Sequence, residues 1–264
     1  MRAFGSVLKM NIKKEFQYRT AAISGLLTQL FFGLMQIALY RQFLMQGNDG
    51  FSIAQMTSYI WLQQIFYTLF KFWDGCKYEI SEKIVNGDVG YQLIRPMNLY
   101  DYWYSNVFSK SLGMVIVRGI PFVIIAILIP GGLALPSSIE GFLMFVISAA
   151  LGAFLVAGIN MFSYILVLYT LSPQGVFSFM VAVSSFLAGQ IVPIPMFPTI
   201  VQKILNFFPF RYVADLPFRI YVGNIAGMDA LIQILIQLAW LVAVVIIGKL
   251  IIHKKVKNIV VQGG

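Results

Sequence analysis

The chain has 264 residues, of which 59% are hydrophobic and only 11% are charged, and its formal net charge is +9. This composition and a mean hydropathy of +0.81 indicate a polytopic membrane protein rather than a soluble domain. The basic residues lie at the ends of apolar segments, which indicates membrane topology rather than nucleic-acid binding, and the single cysteine, Cys76, excludes an intrachain disulfide.

The first 19 residues predict an amphipathic helix that lies along the membrane surface. Phe4, Leu8, Ile12 and Phe16 recur every four residues and share one helical face, while lysine and glutamine side chains occupy the other face. The alternative is a solvated leader in which this periodicity is incidental. We favour the interfacial helix.

Six apolar segments follow, each near the roughly 20 residues that cross a bilayer as a helix. They are Thr20–Tyr40, Ile53–Phe72, Ser109–Ile129, Gly141–Thr170, Val176–Val192 and Ala230–Ile252. An even number of spans places both termini on one side, and the excess of lysine and arginine near the termini makes that side cytoplasmic. We therefore expect one all-α permease domain over residues 1–264, in the plasma membrane of a bacterium.

Residues 71–110, between the second and third spans, predict a structured cytoplasmic loop. This segment holds five of the nineteen basic residues and five of the ten acidic residues, so it cannot lie in hydrocarbon. Glu79, Glu82 and Lys83 precede Gly87, where a left-handed turn is favoured, and Arg95 and Pro96 end the stretch that follows. The pattern of short helix, turn and short helix suggests a docking surface.

Residues 193–227, before the last span, are too apolar for an ordinary loop and contain five prolines. Each proline removes a backbone donor and ends a helix, so the segment predicts short broken helices. Broken helices at membrane depth require other protein or a water-filled cavity to satisfy the backbone, which favours a re-entrant hairpin on the outer side. The alternative is a proline-rich loop on the outer surface.

Motifs for chemistry are absent from the sequence. It contains no GxxxxGK[ST] phosphate-binding loop, no HExxH zinc motif and no cluster of cysteine and histidine, so we expect no cofactor, no metal and no catalytic site in this chain. The spans also lack deep carboxylates that could relay protons or sodium. A transporter of this kind must take its energy from a partner.

Several spans contain uncharged polar residues that need partners in hydrocarbon, and most of them are expected to join helices. A minority hypothesis is a substrate path lined by Trp61, Gln63, Phe66 and Asn160. Arg118 lies eight residues beyond Lys110, at a depth on the order of 12 Å. It either snorkels to the interface or faces a polar cavity that holds an anionic substrate or headgroup.

Two motifs carry a family resemblance. Glu82, Gly87, Leu93 and Pro96 resemble the pattern in the first cytoplasmic loop of ABC type-2 transporter permeases, although the family often has Thr-Leu-Glu after the glycine where this chain has residues 88–90. A second set is similar to the family's stretch before its last span: Gly189, Pro193, Phe197, Pro198, Pro209, Tyr212, Asp215, Arg219 and Gly223. The resemblance covers nearly the whole chain.

The resemblance implies a half-transporter. Two permeases, identical or related, would associate in the bilayer and engage two cytoplasmic ABC ATPase subunits, which bind ATP and magnesium. The coupling helix would lie within Glu79–Pro96, with contacts from Glu79, Glu82, Lys83, Gly87, Leu93, Arg95 and Pro96. The substrate would be a drug, a peptide or a lipid-like molecule moved outward.

Other classes of function remain open at this stage. An ion-coupled secondary carrier would need a buried carboxylate, and a membrane enzyme would need a catalytic constellation that the sequence does not show. A membrane assembly factor that does not transport is also compatible with the composition.

Overall fold

The computed structural model describes residue 5, residues 9–11, residue 13, and residues 19–45, 51–70, 76–93 and 97–256. Every regular element in these ranges is helical, which confirms the predicted all-α fold. The predicted interfacial helix at residues 1–19 falls almost entirely outside the described residues. It stays a prediction.

The helices are numbered here in chain order. They are α1 Arg19–Met45, α2 Ile53–Phe70, α3 Cys76–Val85, α4 Val89–Leu93, α5 Leu99–Met114, α6 Ile120–Leu128, α7 Ile139–Thr170, α8 Pro173–Leu187, α9 Thr199–Leu205, α10 Arg211–Tyr221 and α11 Gly227–Val256. A π-helical turn, Val115–Gly119, joins α5 to α6 without a break, and a 3-10 turn, Ile194–Met196, precedes α9.

Four helical segments in the described residues are long and apolar enough to cross a membrane. They are Ile23–Phe43, Leu99–Leu128, Ile139–Thr170 and Gly227–Val256. The protein is therefore a multi-pass membrane protein, and four of the six predicted spans coincide with these segments.

The other two predicted spans correspond to shorter helices. At about 1.5 Å per residue, the 15 residues of α8 extend about 22 Å, less than the roughly 30 Å of a hydrocarbon core. The 18 residues of α2 extend about 27 Å, and the sequence of α2 is more polar than that of α8. Residues 56–66 of α2 are all buried within the protein, so this helix faces protein more than lipid. That α2 and α8 cross the membrane stays a prediction.

The third span differs from the prediction at its start. The helix begins at Leu99, ten residues before Ser109, so residues 99–110 are helical although we expected them in the loop. The physical reason is an apolar face that continues beyond the hydropathic core, since Leu99, Trp103 and Val107 are buried at intervals of four. Between them, Asp101, Tyr102 and Asn106 are only partly buried.

Helix α7 lies at the centre of the fold and contacts α5, α8, α10 and α11. Close approach depends on small residues. A β-carbon at Gly152 would lie 2.6 Å from the carbonyl oxygen of Val213 in α10, and one at Gly158 would lie 2.8 Å from a methyl group of Val244 in α11. These two glycines therefore allow α7 to approach α10 and α11 closely.

Contacts between helices define two ends of the bundle. At one end, Lys249 of α11 pairs with Asp101 of α5 at 2.8 Å, and Lys255 lies over the ring of Tyr169 of α7 at 4.4 Å. This end contains the start of α5 and the ends of α7 and α11, together with the lysines that predict a cytoplasmic face, and we call it the inner end.

The opposite end is held by hydrogen bonds between loops and α2. The Ala134 backbone N–H donates to Ser58 Oγ at 3.0 Å, and Tyr221 Oη donates to the Ala134 carbonyl oxygen at 2.8 Å. Gln55 Nε2 donates to the carbonyl oxygen of Val222 at 3.1 Å. We call this the outer end.

Candidate functional site: the inner helix pair and the outer charge cluster

Helices α3 and α4, named here the inner helix pair, form a compact helix–turn–helix. Glu79 lies in the first turn of α3 and Lys83 in its last turn, an arrangement that matches the helix dipole. Gly87 has a φ of 80°, which confirms the predicted left-handed turn, because a side chain there would be strained. Leu93 ends α4, and Arg95 and Pro96 lie outside the described residues.

Two polar contacts attach the inner helix pair to α5. Lys110 Nζ donates to Glu79 Oε2 at 2.8 Å, with the lysine side chain 5% exposed and the glutamate side chain 51% exposed. Trp103 Nε1, which is fully buried, donates to Gln92 Oε1 at 2.7 Å. Each short helix therefore has its own attachment to the same membrane-spanning helix.

The two faces of the inner helix pair differ. Ile80, Ile84 and Val89 are buried against the bundle. The other face exposes Glu82 and Asp88 together with Val85 and Tyr91, which are 47% and 77% exposed. An exposed surface with an apolar centre and acidic flanks is typical of a protein-binding site.

At the outer end, α10 carries a buried group of charges. Arg211, Asp215 and Arg219 recur every four residues and so share one face of the helix. Arg211 Nε donates to Asp215 Oδ2 and Arg219 Nε donates to Asp215 Oδ1, each at 3.0 Å. Tyr59 of α2 donates its hydroxyl hydrogen to Asp215 Oδ1 at 2.8 Å. We call these four residues the outer charge cluster.

The two arginines of the outer charge cluster make further hydrogen bonds. Arg211 Nη1 donates to Asn206 Oδ1, and Arg219 donates to Gln202 Oε1 at 3.2 Å and to Asn224 Oδ1 at 3.4 Å. The cluster therefore connects α10 to α9, to the turn after α10 and to α2.

The carboxylate at the centre of the cluster is wholly buried. Burial alone would raise the pKa of Asp215, but the guanidinium groups of Arg219 and Arg211 and the hydrogen bonds from Tyr59 and Arg219 outweigh burial and hold that pKa below its ordinary value. The ionised carboxylate is therefore the form that this site stabilises.

Residues 193–227 form short helices joined by turns. Pro193 precedes the 3-10 turn, Pro198 precedes α9, and the carbonyl oxygen of Pro209 accepts from the Tyr212 backbone N–H at 3.1 Å. The expectation that each proline ends a helix is wrong for Pro217, which lies inside α10.

Helix α10 continues through Pro217 because neighbouring helices pack around the backbone carbonyl groups near the proline. Pro217 has no N–H to donate to the carbonyl oxygen of Val213, and that oxygen lies against Gly152 of α7. Next to it, Gln237 Nε2 donates to the carbonyl oxygens of Tyr212 and Ser148 at 2.7 and 2.8 Å. Contacts with α7 and α11 thus support a helix that its own sequence would interrupt.

Sequence reasoning found part of the outer charge cluster and missed the rest. Tyr212, Asp215 and Arg219 were expected in the hairpin, but Arg211 was not singled out although the spacing of Arg211, Asp215 and Arg219 is visible in the sequence. Tyr59 left no such signal, because it lies 156 residues from Asp215.

The residues proposed for a substrate path make packing contacts within this chain. Trp61 is fully buried, with its ring centroid 5.6 Å from that of Phe122, and Phe66 packs edge-to-face on Phe218 at 4.8 Å. Gln63 Nε2 donates to two carbonyl oxygens after α8, those of Gly189 and Gln190, at 2.8 Å each.

The two remaining path candidates lie on other helices. Asn160 is buried in α7, and its Nδ2 has no hydrogen-bond partner among the described residues. Arg118 lies in the π-helical turn, with its guanidinium against Gly25 of α1. That these five residues line a path stays a prediction.

Within the described ranges, no three His, Cys, Asp or Glu side chains meet in a group that could hold a metal ion.

A family model for ABC-2 family transporter proteins matches residues 25–263. The chain belongs to the ABC-2 transporter family. The match includes both motifs on which the resemblance rests, the one in the inner helix pair and the one between Gly189 and Gly223. Comparisons with curated proteins and with solved structures gave no match. ABC-2 proteins are membrane permeases that generally pair with ABC ATPase subunits and are generally not catalytic themselves.

Proposed function

We propose that this ABC-2 protein is the membrane-spanning subunit of an ABC exporter, and that a separate cytoplasmic ATPase binds the exposed face of the inner helix pair. The observation that carries the proposal is the double attachment of this pair to α5, through Lys110 with Glu79 and through Trp103 with Gln92. Movement of α3 and α4 would therefore be transmitted to α5, which continues through the π-helical turn to Leu128.

The same arrangement supports a cytoplasmic orientation for the inner end. The inner helix pair lies at the end of the bundle that carries the lysines of α11, so this end is cytoplasmic and both termini are on that side. Residues 193–227 then face outward as a re-entrant hairpin, which the outer charge cluster attaches to α2. Closure of the ATPase subunits on ATP and magnesium would draw the inner helix pairs together, and release at the outer end would let substrate leave.

The assembly would contain two permeases, because one bundle with one docking surface corresponds to half of a transporter. The second permease is a further copy of this chain or a related one. The family resemblance implies that the substrate is a drug, a peptide or a lipid-like molecule.

The buried charges weigh against an ion-coupled carrier. Asp215 is the buried acidic residue in the described part of the chain, and all of its strong contacts are with Arg211, Arg219 and Tyr59. A carboxylate held by two arginines is a poor site for reversible binding of a proton or sodium, since either cation would have to displace a guanidinium. A non-transporting assembly factor would lack ATP-dependent substrate movement.

Charge reversal on the exposed face tests the proposal. Glu82→Lys leaves the buried face of α3 intact, so we expect normal insertion and folding but a drop of about tenfold or more in the ATP hydrolysis that copurifies from membranes, because reversed charges weaken a docking contact by roughly 1.4 kcal/mol or more. Arg95→Glu should act in the same direction.

Glu140→Lys is the matched control, because Glu140 is an exposed glutamate in the first turn of α7 at the outer end. It should leave copurified ATP hydrolysis unchanged. Equal ATP hydrolysis in Glu82→Lys and the wild type would exclude docking on this face, and uphill transport by the purified chain without nucleotide would exclude the exporter model.

A further inference from the structure

Arg118 is a cation within a membrane-spanning helix. It lies in the π-helical turn of the continuous segment Leu99–Leu128, is half-buried, and forms no ion pair with any acidic residue that the structure describes. A charge in an apolar span is costly unless it reaches water, a headgroup or a counter-ion. π-helical turns inside α-helices also occur frequently at functional sites.

The guanidinium lies at the seam between this turn and α1. A β-carbon at Gly25 would be 3.1 Å from Arg118 Nη1 and 3.5 Å from Cζ, so the charged group lies directly against the backbone of α1. Gly25 comes two residues after Ile23, where the apolar segment of α1 begins, or about 3 Å further along the helix.

The guanidinium lies near the inner end of α1. Gly25, which it contacts, is two residues beyond the start of the apolar part of α1, and the backbone of Arg118 is eight residues beyond Lys110 in its own helix, about 12 Å. Side chains of a helix point toward its N-terminus, which for α5 is the inner end. A guanidinium in this position can extend to the inner headgroups by snorkelling.

A second polar group lies on the same side of α1. Gln29 is one turn beyond Gly25 and is only 4% exposed, and its Oε1 has no hydrogen-bond partner among the described residues. A buried amide oxygen without a partner costs free energy, and an amide group can rotate to present either its donors or its acceptor. The seam thus contains a cation and, one turn beyond the glycine, a buried amide whose oxygen has no partner among the described residues.

We propose that this seam binds the phosphate of an anionic lipid headgroup from the inner leaflet, with Arg118 as the main ligand. A guanidinium offers parallel N–H donors that match two phosphate oxygens, and Gln29 can bond the ester or hydroxyl oxygens beside them. The five basic residues among positions 1–19 concentrate anionic lipid near this end of α1. The site goes beyond the proposed transport function and does not depend on an ATPase.

Native mass spectrometry of the full chain tests the site directly. The protein is reconstituted in nanodiscs of phosphatidylcholine with or without phosphatidylglycerol, and retained lipids are counted after release. We expect the wild type to retain phosphatidylglycerol preferentially. Arg118→Gln should lose that preference by about tenfold or more, the loss expected for a charge-assisted hydrogen bond.

Two further variants keep the test interpretable. Arg41→Gln removes an exposed arginine near the other end of α1 and should retain the lipid as the wild type does. Gly25→Ala adds a methyl group 3.1 Å from the flexible end of Arg118, so it should weaken lipid retention while α1 becomes no less stable, since alanine favours a helix. If Arg118→Gln fails to fold, lipid retention by Gly25→Ala still tests whether the seam binds the lipid.

Inorganic phosphate added to phosphatidylcholine nanodiscs separates the two sources of a phosphate group. We expect no rise in thermal stability with phosphate and a rise with phosphatidylglycerol. Equal stabilisation by inorganic phosphate would overturn the lipid assignment in favour of a soluble anion. Equal phosphatidylglycerol retention by the wild type, Arg118→Gln and Gly25→Ala would overturn the site itself.

Discussion

The outer charge cluster and the inner helix pair use polar residues in opposite ways. In the cluster, Asp215 is fully buried and its contacts with Tyr59, Arg211 and Arg219 all come from this chain. In the inner helix pair, one face is attached to α5 while Glu82 and Tyr91 project outward. The first region is complete in itself, whereas the second presents a surface that a partner can complete.

This difference shows where stability and function reside. A buried ion group contributes specificity but is sensitive to loss of any member, because the remaining charge has no solvent to relax into. An exposed helix pair tolerates substitution, because water replaces each lost contact. Substitutions in the two regions should therefore separate folding from coupling.

The largest effect is expected for Asp215→Asn. The substitution keeps the shape of the side chain but leaves two buried guanidinium groups without a counter-charge, which should destabilise the protein by about 3–5 kcal/mol. Unfolding by SDS from mixed micelles, followed by tryptophan fluorescence, measures the change. Asp101→Asn is the control, because its pair with Lys249 is 37% and 49% exposed and should contribute about 0–1 kcal/mol.

Replacing the whole ion group sharpens the result. A triple variant with Arg211→Met, Asp215→Leu and Arg219→Met removes all three charges together, and apolar replacements of this kind are often neutral or stabilising. We expect the triple variant to be more stable than Asp215→Asn. Asp215→Asn as stable as the wild type would show that the outer charge cluster does not hold the outer end together.

A smaller effect is expected for Gly152→Ala, which probes the support beneath the cluster. The added β-carbon would lie 2.6 Å from the carbonyl oxygen of Val213, so α7 and α10 must move apart, at a cost of about 1–3 kcal/mol. The same SDS titration measures it. Gly175→Ala is the matched control, because its nearest neighbour is the Ser172 hydroxyl at 3.3 Å and alanine favours the helix.

Gly175→Ala should be neutral or stabilising. If both glycine substitutions change the unfolding midpoint in the same way, the close approach of α7 and α10 is not what stabilises α10, and the account of Pro217 within that helix would need another support.

The long apolar helices could be predicted from the sequence because hydropathy over some 20 residues is a strong signal. The start of α5 could not be predicted, because hydropathy identifies the apolar segment that crosses a membrane and does not identify where the helix ends outside that segment. Residues 99–110 are buried or half-buried throughout, but polar side chains such as Asp101, Asn106 and Lys110 interrupt the apolar ones, so a search for continuous apolar runs predicts a loop.

The candidate site was predictable only where its residues are close in sequence. Gly87 and the acidic residues before it are local features, and so is the spacing of Arg211, Asp215 and Arg219. Tyr59, Lys110 and Trp103 acquire their roles through contacts between distant segments, which one sequence does not encode as a pattern. Pro217 shows the same limit, since tertiary contacts override its local preference.

The smallest effect on stability is expected for Glu79→Gln, although its effect on coupling should be large. The glutamate is half exposed, so solvent screens its pair with Lys110 and the loss should be about 1 kcal/mol or less. If this pair carries movement from α3 to α5, ATP hydrolysis by the assembled complex should persist while substrate moved per ATP falls severalfold. Asp229→Asn, an exposed acid in the first turn of α11, should change neither quantity. An unchanged ratio of transport to hydrolysis in Glu79→Gln would leave Trp103 and Gln92 as the attachment through which the inner helix pair acts on the bundle.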